Sequence, residues 1–310
     1  MASSYRSLLA VRFVDGLIAV WGVITIVFIV SRLLGDPSAI LLPTGATEAQ
    51  MTELRVHLGL NQPLWWQYLS YFWSLLHGDF GQSFVMGRPA IDVVLERLPA
   101  TALLAGSSMV LGVTVGGLVG AIAAIYRGTL VEAFAMLIAL LTQSMPSFWL
   151  GTALILLFAV ELHWLPSGGY GTWRHLILPS VTLACFAASS IARLLRSSML
   201  DVLGNDYIRT ARAKGLMPGT ILIWHLGRNS LISVVTMVGL LAGELLGGAA
   251  VVETVFAWPG VGRLIVQAIE TKDFPVVQAG VATIAVIFIV VNLLIDLTYS
   301  LLDPRIGYAK

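Results

Sequence analysis

Cysteine and charge are both scarce in this chain of 310 residues. Its single cysteine, Cys185, allows no intrachain disulfide and indicates no cysteine-based redox or metal site. Only 11% of the residues are charged, 57% are hydrophobic, and the mean hydropathy is +0.88. This composition excludes an ordinary soluble domain. We therefore predict an all-α integral membrane protein.

Motifs of phosphate-binding or hydrolytic chemistry are missing as well. The sequence has no G-x-x-x-x-G-K-[ST] loop, no G-x-S-x-G nucleophile turn and no H-E-x-x-H zinc pair. Glu161, His163 and His175 fall in or beside one short loop, where hydrogen bonding is favoured over metal binding. We predict no catalytic residue, no metal site and no nucleic-acid partner.

The sequence contains long apolar runs. A helix needs about 20 mostly apolar residues to cross a bilayer, and the sequence has six such runs. They are Phe13–Leu34, Pro99–Tyr126, Leu130–Val160, Leu176–Met199, Leu231–Val252 and Val276–Leu301. We expect an N-terminal tail and first transmembrane helix in residues 1–34, an outer cap in residues 35–98, and a five-helix core in residues 99–310.

The distribution of Lys and Arg predicts the orientation. With the N-terminus inside, eleven of the eighteen cations face the cytoplasm, and short outer loops hold few. Both termini are therefore expected inside. Arg193 or Arg196, on the inner side, is expected to pair with Asp296 of the last span.

The loop over residues 35–98 carries a pattern of its own. Ala49–Leu58 reads as an amphipathic helix, with Thr47 as N-cap and Gly59 as its stop. Leu64–Leu76 is rich in Trp and Tyr, which prefer the headgroup level of a membrane. We predict a small cap on the outer face, which serves either as a landing site for a protein or as a structural lid.

The second apolar run contains a stripe of small residues at every fourth position. Its members are Ser108, Gly112, Gly116, Gly120 and Ala124. Such a stripe lies along one side of a helix and lets another helix approach closely. The spacing predicts an inner, packed helix.

Three residues are candidates for a pathway through the membrane. Pro146 interrupts the third run beside Ser144, which predicts a kink. Glu244 is an acid far from either end of its run, and an ionisable group at that depth costs several kcal/mol unless it meets water or a partner. Glu244 either lines the pathway and attracts a cationic group or holds helices together.

A polar insert over residues 204–218 separates the fourth and fifth runs. Asn205 or Asp206 can cap a short helix, and Gly215 permits a sharp reversal after it. Held at the inner face, such a helix is a docking surface for a cytoplasmic partner; alternatively its cations only contact lipid headgroups. The residues assigned to this surface are Asp206, Tyr207, Ile208, Arg209, Thr210, Ala211, Arg212, Lys214, Gly215 and Leu216. Tyr207, Ile208 and Ala211 are expected to pack into the partner.

The insert DYIRTARAKG resembles the coupling loop of permease subunits from binding-protein-dependent ABC importers, in their peptide and nickel branch. Arg209-Thr210-Ala211 stands where that loop's Glu-Ala-Ala would be, and Gly215 keeps its glycine. Further segments extend the resemblance over most of the chain: Leu58–Leu64, Gly78–Ser83, Trp164–His175, Glu253–Arg263 and Asp273–Gln278.

The resemblance implies a six-span, type I ABC importer permease fold with an outer cap between the first two spans. The implied partners are a second, related permease, two cytoplasmic ATPases that bind ATP and Mg²⁺, and an outer substrate-binding protein. The chain itself would hold no cofactor and would lie in the bacterial inner membrane.

Two further expectations concern the transported substrate and a gate at the outer face. The short third-to-fourth loop resembles the nickel or metal-chelate branch of the family slightly more than the dipeptide branch. The resemblance therefore implies nickel or a metal chelate, with a dipeptide or oligopeptide as the alternative. Trp258, Pro259 and Gly260 form a turn that we expect to anchor at the interface and to close the outer mouth. A secondary transporter would need charged pairs or related halves, and a membrane enzyme a cluster of acid, base or nucleophile; neither pattern emerges.

Overall fold

A computed structural model describes residues 2–33, 42, 47–57, 59–203, 205–215 and 228–302. Nearly all of this part of the chain is helical. Its helices are α1 (Ala2–Leu33), α2 (Glu48–His57), α3 (Leu64–Leu76), α4 (Ala90–Ile125), α5 (Leu130–Ser144), α6 (Ser147–Leu154), α7 (Trp173–Leu203), α8 (Asp206–Ala213), α9 (Arg228–Val255), α10 (Val261–Glu270) and α11 (Phe274–Leu302). A π-helical segment, Ile155–Glu161, continues α6.

Six stretches of helix match the six predicted runs. Among the described residues, four single helices are long and apolar enough to cross a membrane. They are Val14–Leu33, Ala90–Ile125, Trp173–Leu203 and Phe274–Ile295. Two more are bent pairs, one formed by α5 with α6 and its π-helical extension, the other lying within α9. If each bent pair counts as one span, the number reaches six.

The chain forms two compact units. One combines the described residues as far as Thr101 with Pro259–Ile289, and the other combines Ala102–Trp258 with the described residues from Val290 onward. Helices α4 and α11 each contribute to both units. The division does not test the predicted domain boundaries at residues 34 and 98, which stay predictions.

The first unit contains the helices predicted for the outer cap. Thr47 and Gln50 cap α2 reciprocally: the Gln50 N–H donates to Thr47 Oγ1 at 3.4 Å, and the Thr47 N–H donates to Gln50 Oε1 at 2.9 Å. Gly59 follows with a φ of +67°, which ends the helix as predicted. The aromatic stretch forms α3, which packs on α1 through Tyr71 stacked on Phe28, with ring centroids 5.5 Å apart.

Burial changes the chemistry of Tyr71. Its hydroxyl oxygen is enclosed and accepts no hydrogen bond from the described residues. Burial raises the pKa of the phenol above its ordinary value.

The rest of the first unit is built around the start of α4. Ala90, Val93 and Val94 pack with apolar residues of α10 and of the first turns of α11. Thr101 Oγ1 accepts the Val261 N–H at 2.8 Å, which ties α4 to the first residue of α10.

The second unit confirms the stripe of small residues. A Cβ added at Gly116 would lie 2.5 Å from the Ala188 carbonyl oxygen, and one at Gly120 would lie 2.6 Å from that of Ala192. The backbones of α4 and α7 therefore touch along the stripe, at a separation that only glycine permits.

Candidate functional site

The predicted kink at Pro146 is a complete break between two helices. Helix α5 ends at Ser144, Met145 and Pro146 are extended, and α6 begins at Ser147. Proline has no N–H to continue the helix and forces the preceding residue out of the helical region. The two helical segments are bent by 107° at this point.

A cavity of about 410 Å³ lies against this break, within the second unit. It is lined by residues 142–147 and by Leu150, Thr182, Leu183, Phe186, Glu244 and Leu245. The structure thus brings Ser144, Pro146 and Glu244 to one cavity, although Glu244 is about 100 residues from the other two in sequence.

Among the described residues that line the cavity, Glu244 is the only acidic one. Its side chain is exposed, and none of the described residues gives it a hydrogen bond or an ion pair. Both alternatives for Glu244, a place on the pathway and a link between helices, stay hypotheses.

Hydroxyl and amide groups supply the rest of the polar lining. Thr182 Oγ1 donates to the Leu178 carbonyl at 2.8 Å, and Ser144 Oγ donates to that of Leu140 at 2.9 Å. Because a hydroxyl oxygen that donates to its own helix still has lone pairs, these groups can accept hydrogen bonds from a passing molecule.

The predicted docking helix is present as α8, Asp206–Ala213. It begins after Asn205, whose carbonyl accepts the Ile208 N–H at 3.0 Å, and it stops at Gly215, whose φ is +78°. Asp206, Thr210, Lys214 and Gly215 are exposed. Leu216 and the side chains of Tyr207, Arg209, Ala211 and Arg212 lie outside the described residues, so their predicted roles stay predictions.

Ile208 does not face a partner, and in this respect the prediction is wrong. Its side chain is 0% exposed and belongs to the core cluster that contains Leu195 and Met199 of α7 and Val234 and Leu241 of α9. A helix this short is not stable by itself, and Ile208 packs it against the two long helices beside it.

The turn after α9 also differs from its prediction. Trp258 is 1% exposed, and its ring meets Tyr170 edge to face, with centroids 4.8 Å apart. An aromatic anchor at the membrane interface would be exposed, so that expectation for Trp258 is wrong. Pro259 and Gly260 lead into α10, with Gly260 at the N-cap position. No observation tests the outer-gate role of the three residues.

The loop before α7 explains why Trp258 is buried. The Gly169 N–H donates to the Phe256 carbonyl at 2.8 Å, and a Cβ on Gly168 would lie 2.4 Å from the same oxygen. The glycines bring the loop onto the turn, and the loop covers the indole.

One partly buried ion pair was not foreseen. Arg196 of α7 donates through Nε to Glu132 Oε1 at 2.6 Å and also through Nη2, and Glu132 Oε2 accepts the Gly128 N–H at 2.6 Å. Thr129 and Glu132 have the T-x-x-E spacing of a helix start, which could have indicated Glu132 as a first-turn anchor. The side chain of Asp296, the expected partner of Arg193 or Arg196, lies outside the described residues.

The sequence matches the family of binding-protein-dependent transport system inner membrane components over residues 116–308. That match covers more than half of the chain. The chain belongs to this family. Membership makes it a multi-pass permease subunit of an ABC importer, and the family works with ATP-hydrolysing and substrate-binding partners.

Individual sequence relatives agree with this assignment. The chain is 44% identical over 296 residues to the glutathione transport system permease protein GsiC of Escherichia coli, with 93% of this chain and 96% of that protein covered. It is 41% identical over 290 residues to a putative peptide transport system permease protein of Brucella abortus, with 91% and 92% covered.

Solved structures show the same fold. Two inward-facing crystal forms of the MetNI methionine ABC transporter align with TM-scores of 0.56 and 0.58, at 20% and 21% identity. Each alignment covers 68% of this chain and 96% of the other. The chain therefore has the type I ABC importer permease fold.

Proposed function

We propose that this chain forms half of the translocation pathway of an ATP-driven importer for short peptides, and that the cavity beside Pro146 is part of that pathway. The observation that carries the proposal is the Glu244 carboxylate, which is exposed in a cavity whose other described lining groups are hydroxyl, amide and apolar. A protonated peptide amino terminus would pair with the carboxylate, and peptide N–H groups would meet the hydroxyl oxygens.

Peptides are favoured over nickel by the chain's relatives. The relatives named above are permeases for peptides and for glutathione, which is itself a short peptide. The nickel expectation finds no support among them.

The assembly we propose has two permeases, this chain and a related second one. Two cytoplasmic ATPases would bind ATP and Mg²⁺, and this chain would catalyse nothing itself. Helix α8 would dock on one ATPase through its exposed side, which includes Lys214. The cap over residues 35–98 would meet the substrate-binding protein outside, with both chain termini in the cytoplasm.

Replacement of Glu244 tests the pathway role. In the reconstituted complex, Glu244→Gln should lower ATP-driven uptake of a labelled dipeptide about tenfold, because a hydrogen bond to a charged group contributes about 1.5–3 kcal/mol. Glu244→Asp keeps the charge and should retain most of the uptake. Basal ATP hydrolysis should be unchanged in both variants.

Glu161→Gln is the matched control, since Glu161 is also exposed but lies outside the cavity. Equal uptake by wild type, Glu244→Gln and the control would remove Glu244 from the pathway. Accumulation of labelled nickel but of no peptide would overturn the substrate assignment, and uptake without ATPase subunits would overturn the importer itself.

A further inference from the structure

A short hairpin over residues 81–90, here called the outer hairpin, immediately precedes α4. Gln82 and Pro89 form an antiparallel bridge, the Ser83 N–H donates to the Arg88 carbonyl at 2.8 Å, and Gly87 turns the chain with a φ of +62°. Val85 and Met86 at its tip are 59% and 45% exposed. The tip therefore presents apolar side chains to its surroundings.

The base of this tip is held by a carboxylate from a distant part of the chain. Asp273 Oδ2 accepts the Ser83 hydroxyl at 2.5 Å and the Val85 N–H at 3.3 Å, and Oδ1 accepts the Phe84 N–H at 3.0 Å. Ser83 and Asp273 are each 2% exposed. Ser83 Oγ in turn accepts the Met86 N–H at 2.9 Å, so the whole tip is ordered around one carboxylate.

Asp273 also joins two helices through its own backbone. Its N–H donates to the Ala268 carbonyl of α10 at 2.8 Å, and its carbonyl accepts the Val277 N–H of α11 at 3.1 Å. One residue thus ends α10, begins α11 and holds the hairpin. Three donors around a carboxylate shielded from water make a stiff connection, because hydrogen bonds to charged groups are strong where water cannot compete.

We propose that Asp273 is a positioning residue for transport: it fastens the outer hairpin to the α10–α11 turn, so that a protein bound at the hairpin tip moves α10 and α11 with it. The partner is the substrate-binding protein, and in that one respect the inference rests on the proposed function. Binding of that protein would then be transmitted to α10 and α11 through the hydrogen bonds of Asp273, which a side-chain substitution can remove.

Distance measurement tests the connection without any transport assay. Spin labels at Met86→Cys and Gln267→Cys, in a Cys185→Ala background, report the separation of the hairpin tip and α10 in the whole permease complex. Gln267 is exposed on α10, so a label fits there. We expect a narrow distance distribution, broadened by Asp273→Asn because an amide turns N–H groups toward donors. An unchanged distribution would overturn the connection.

Stimulation of ATP hydrolysis by the loaded binding protein tests the relay. Asp273→Asn should lower the stimulation about tenfold, the factor for one lost charge-assisted hydrogen bond, and leave basal hydrolysis unchanged. Ser83→Ala, a smaller perturbation, should lower it less. The double variant should match Asp273→Asn, since both changes remove the same contact. Additive losses would contradict the shared contact.

Glu270→Gln provides the matched control, because Glu270 is exposed three residues before Asp273. Normal stimulation despite a broadened distance distribution would overturn the relay. If the wild-type complex showed no stimulation at all, the proposed function would fail, whereas the spin-label distances would still decide whether Asp273 fastens the hairpin.

Discussion

Among the described side chains of α8, Ile208 is the one that is buried against the rest of its unit. Its side chain is fully buried in a cluster with α7 and α9, while Thr210 and Lys214 of the same segment are exposed. A force applied to the exposed side of α8 would reach the two long helices through this contact. In the proposed assembly, Ile208 would therefore transmit motion rather than bind a partner.

We expect Ile208→Ala to uncouple ATP hydrolysis from uptake. Truncating a buried isoleucine costs about 2–5 kcal/mol, which is enough to detach a short helix while the long helices stay packed. Uptake per ATP hydrolysed, measured in proteoliposomes, should fall severalfold. Thr210→Ala is the control on the exposed side, and an equal loss in both variants would contradict the anchoring role.

Residue type alone predicted exposure poorly in the second unit. Ile208 and Trp258 were both expected at surfaces, on a partner and at the membrane interface, and both are buried. Their burial depends on elements that are distant in sequence, α7 and α9 for Ile208 and the loop at Gly168 and Gly169 for Trp258. No local pattern contains that information.

At the scale of elements, the close packing of α4 on α7 gives a sharp prediction. Even one methyl group at Gly116 would press on the Ala188 backbone, whereas nothing lies within 4 Å of a methyl group at Gly117. Gly116→Ala should therefore destabilise the protein by about 1–3 kcal/mol, as overpacking does. A thermal melt of the purified permease in detergent would measure the shift.

Gly117→Ala controls for the helix itself. Alanine favours helix over glycine by about 1 kcal/mol, so this variant should melt at the same temperature or slightly higher. Equal destabilisation by the two substitutions would show that contact with α7 is not the reason for glycine at position 116.

Helix ends were predictable where the chemistry is local. The Thr47 cap, the stop at Gly59 and the break at Pro146 each depend on residues within a few positions of one another. The size of the break was not predictable. Proline indicates where a helix stops, but the 107° bend is set by what the two segments pack against.

At the scale of the whole molecule, apolar run length predicted the spans because a bilayer imposes one length on every crossing helix. The assembly of sites from distant segments escaped prediction. Ser83 and Asp273 are separated by 190 residues, and Ser144 and Glu244 by about 100. The resemblance to a family marked several of these segments as significant without showing which of them meet.

The proposed arrangement places α8 and the loop before α7 on opposite sides of the membrane. Lys214 is exposed beside α8 and Arg174 is exposed at the start of α7. In a Cys185→Ala background, Lys214→Cys should crosslink to the ATPase subunit and resist an impermeant thiol reagent added to intact cells. Arg174→Cys should react with that reagent and form no such crosslink. Labelling of Lys214→Cys from outside would show that the topology is the opposite of the one proposed. Helix α8 could then not reach an ATPase, whatever the chain transports.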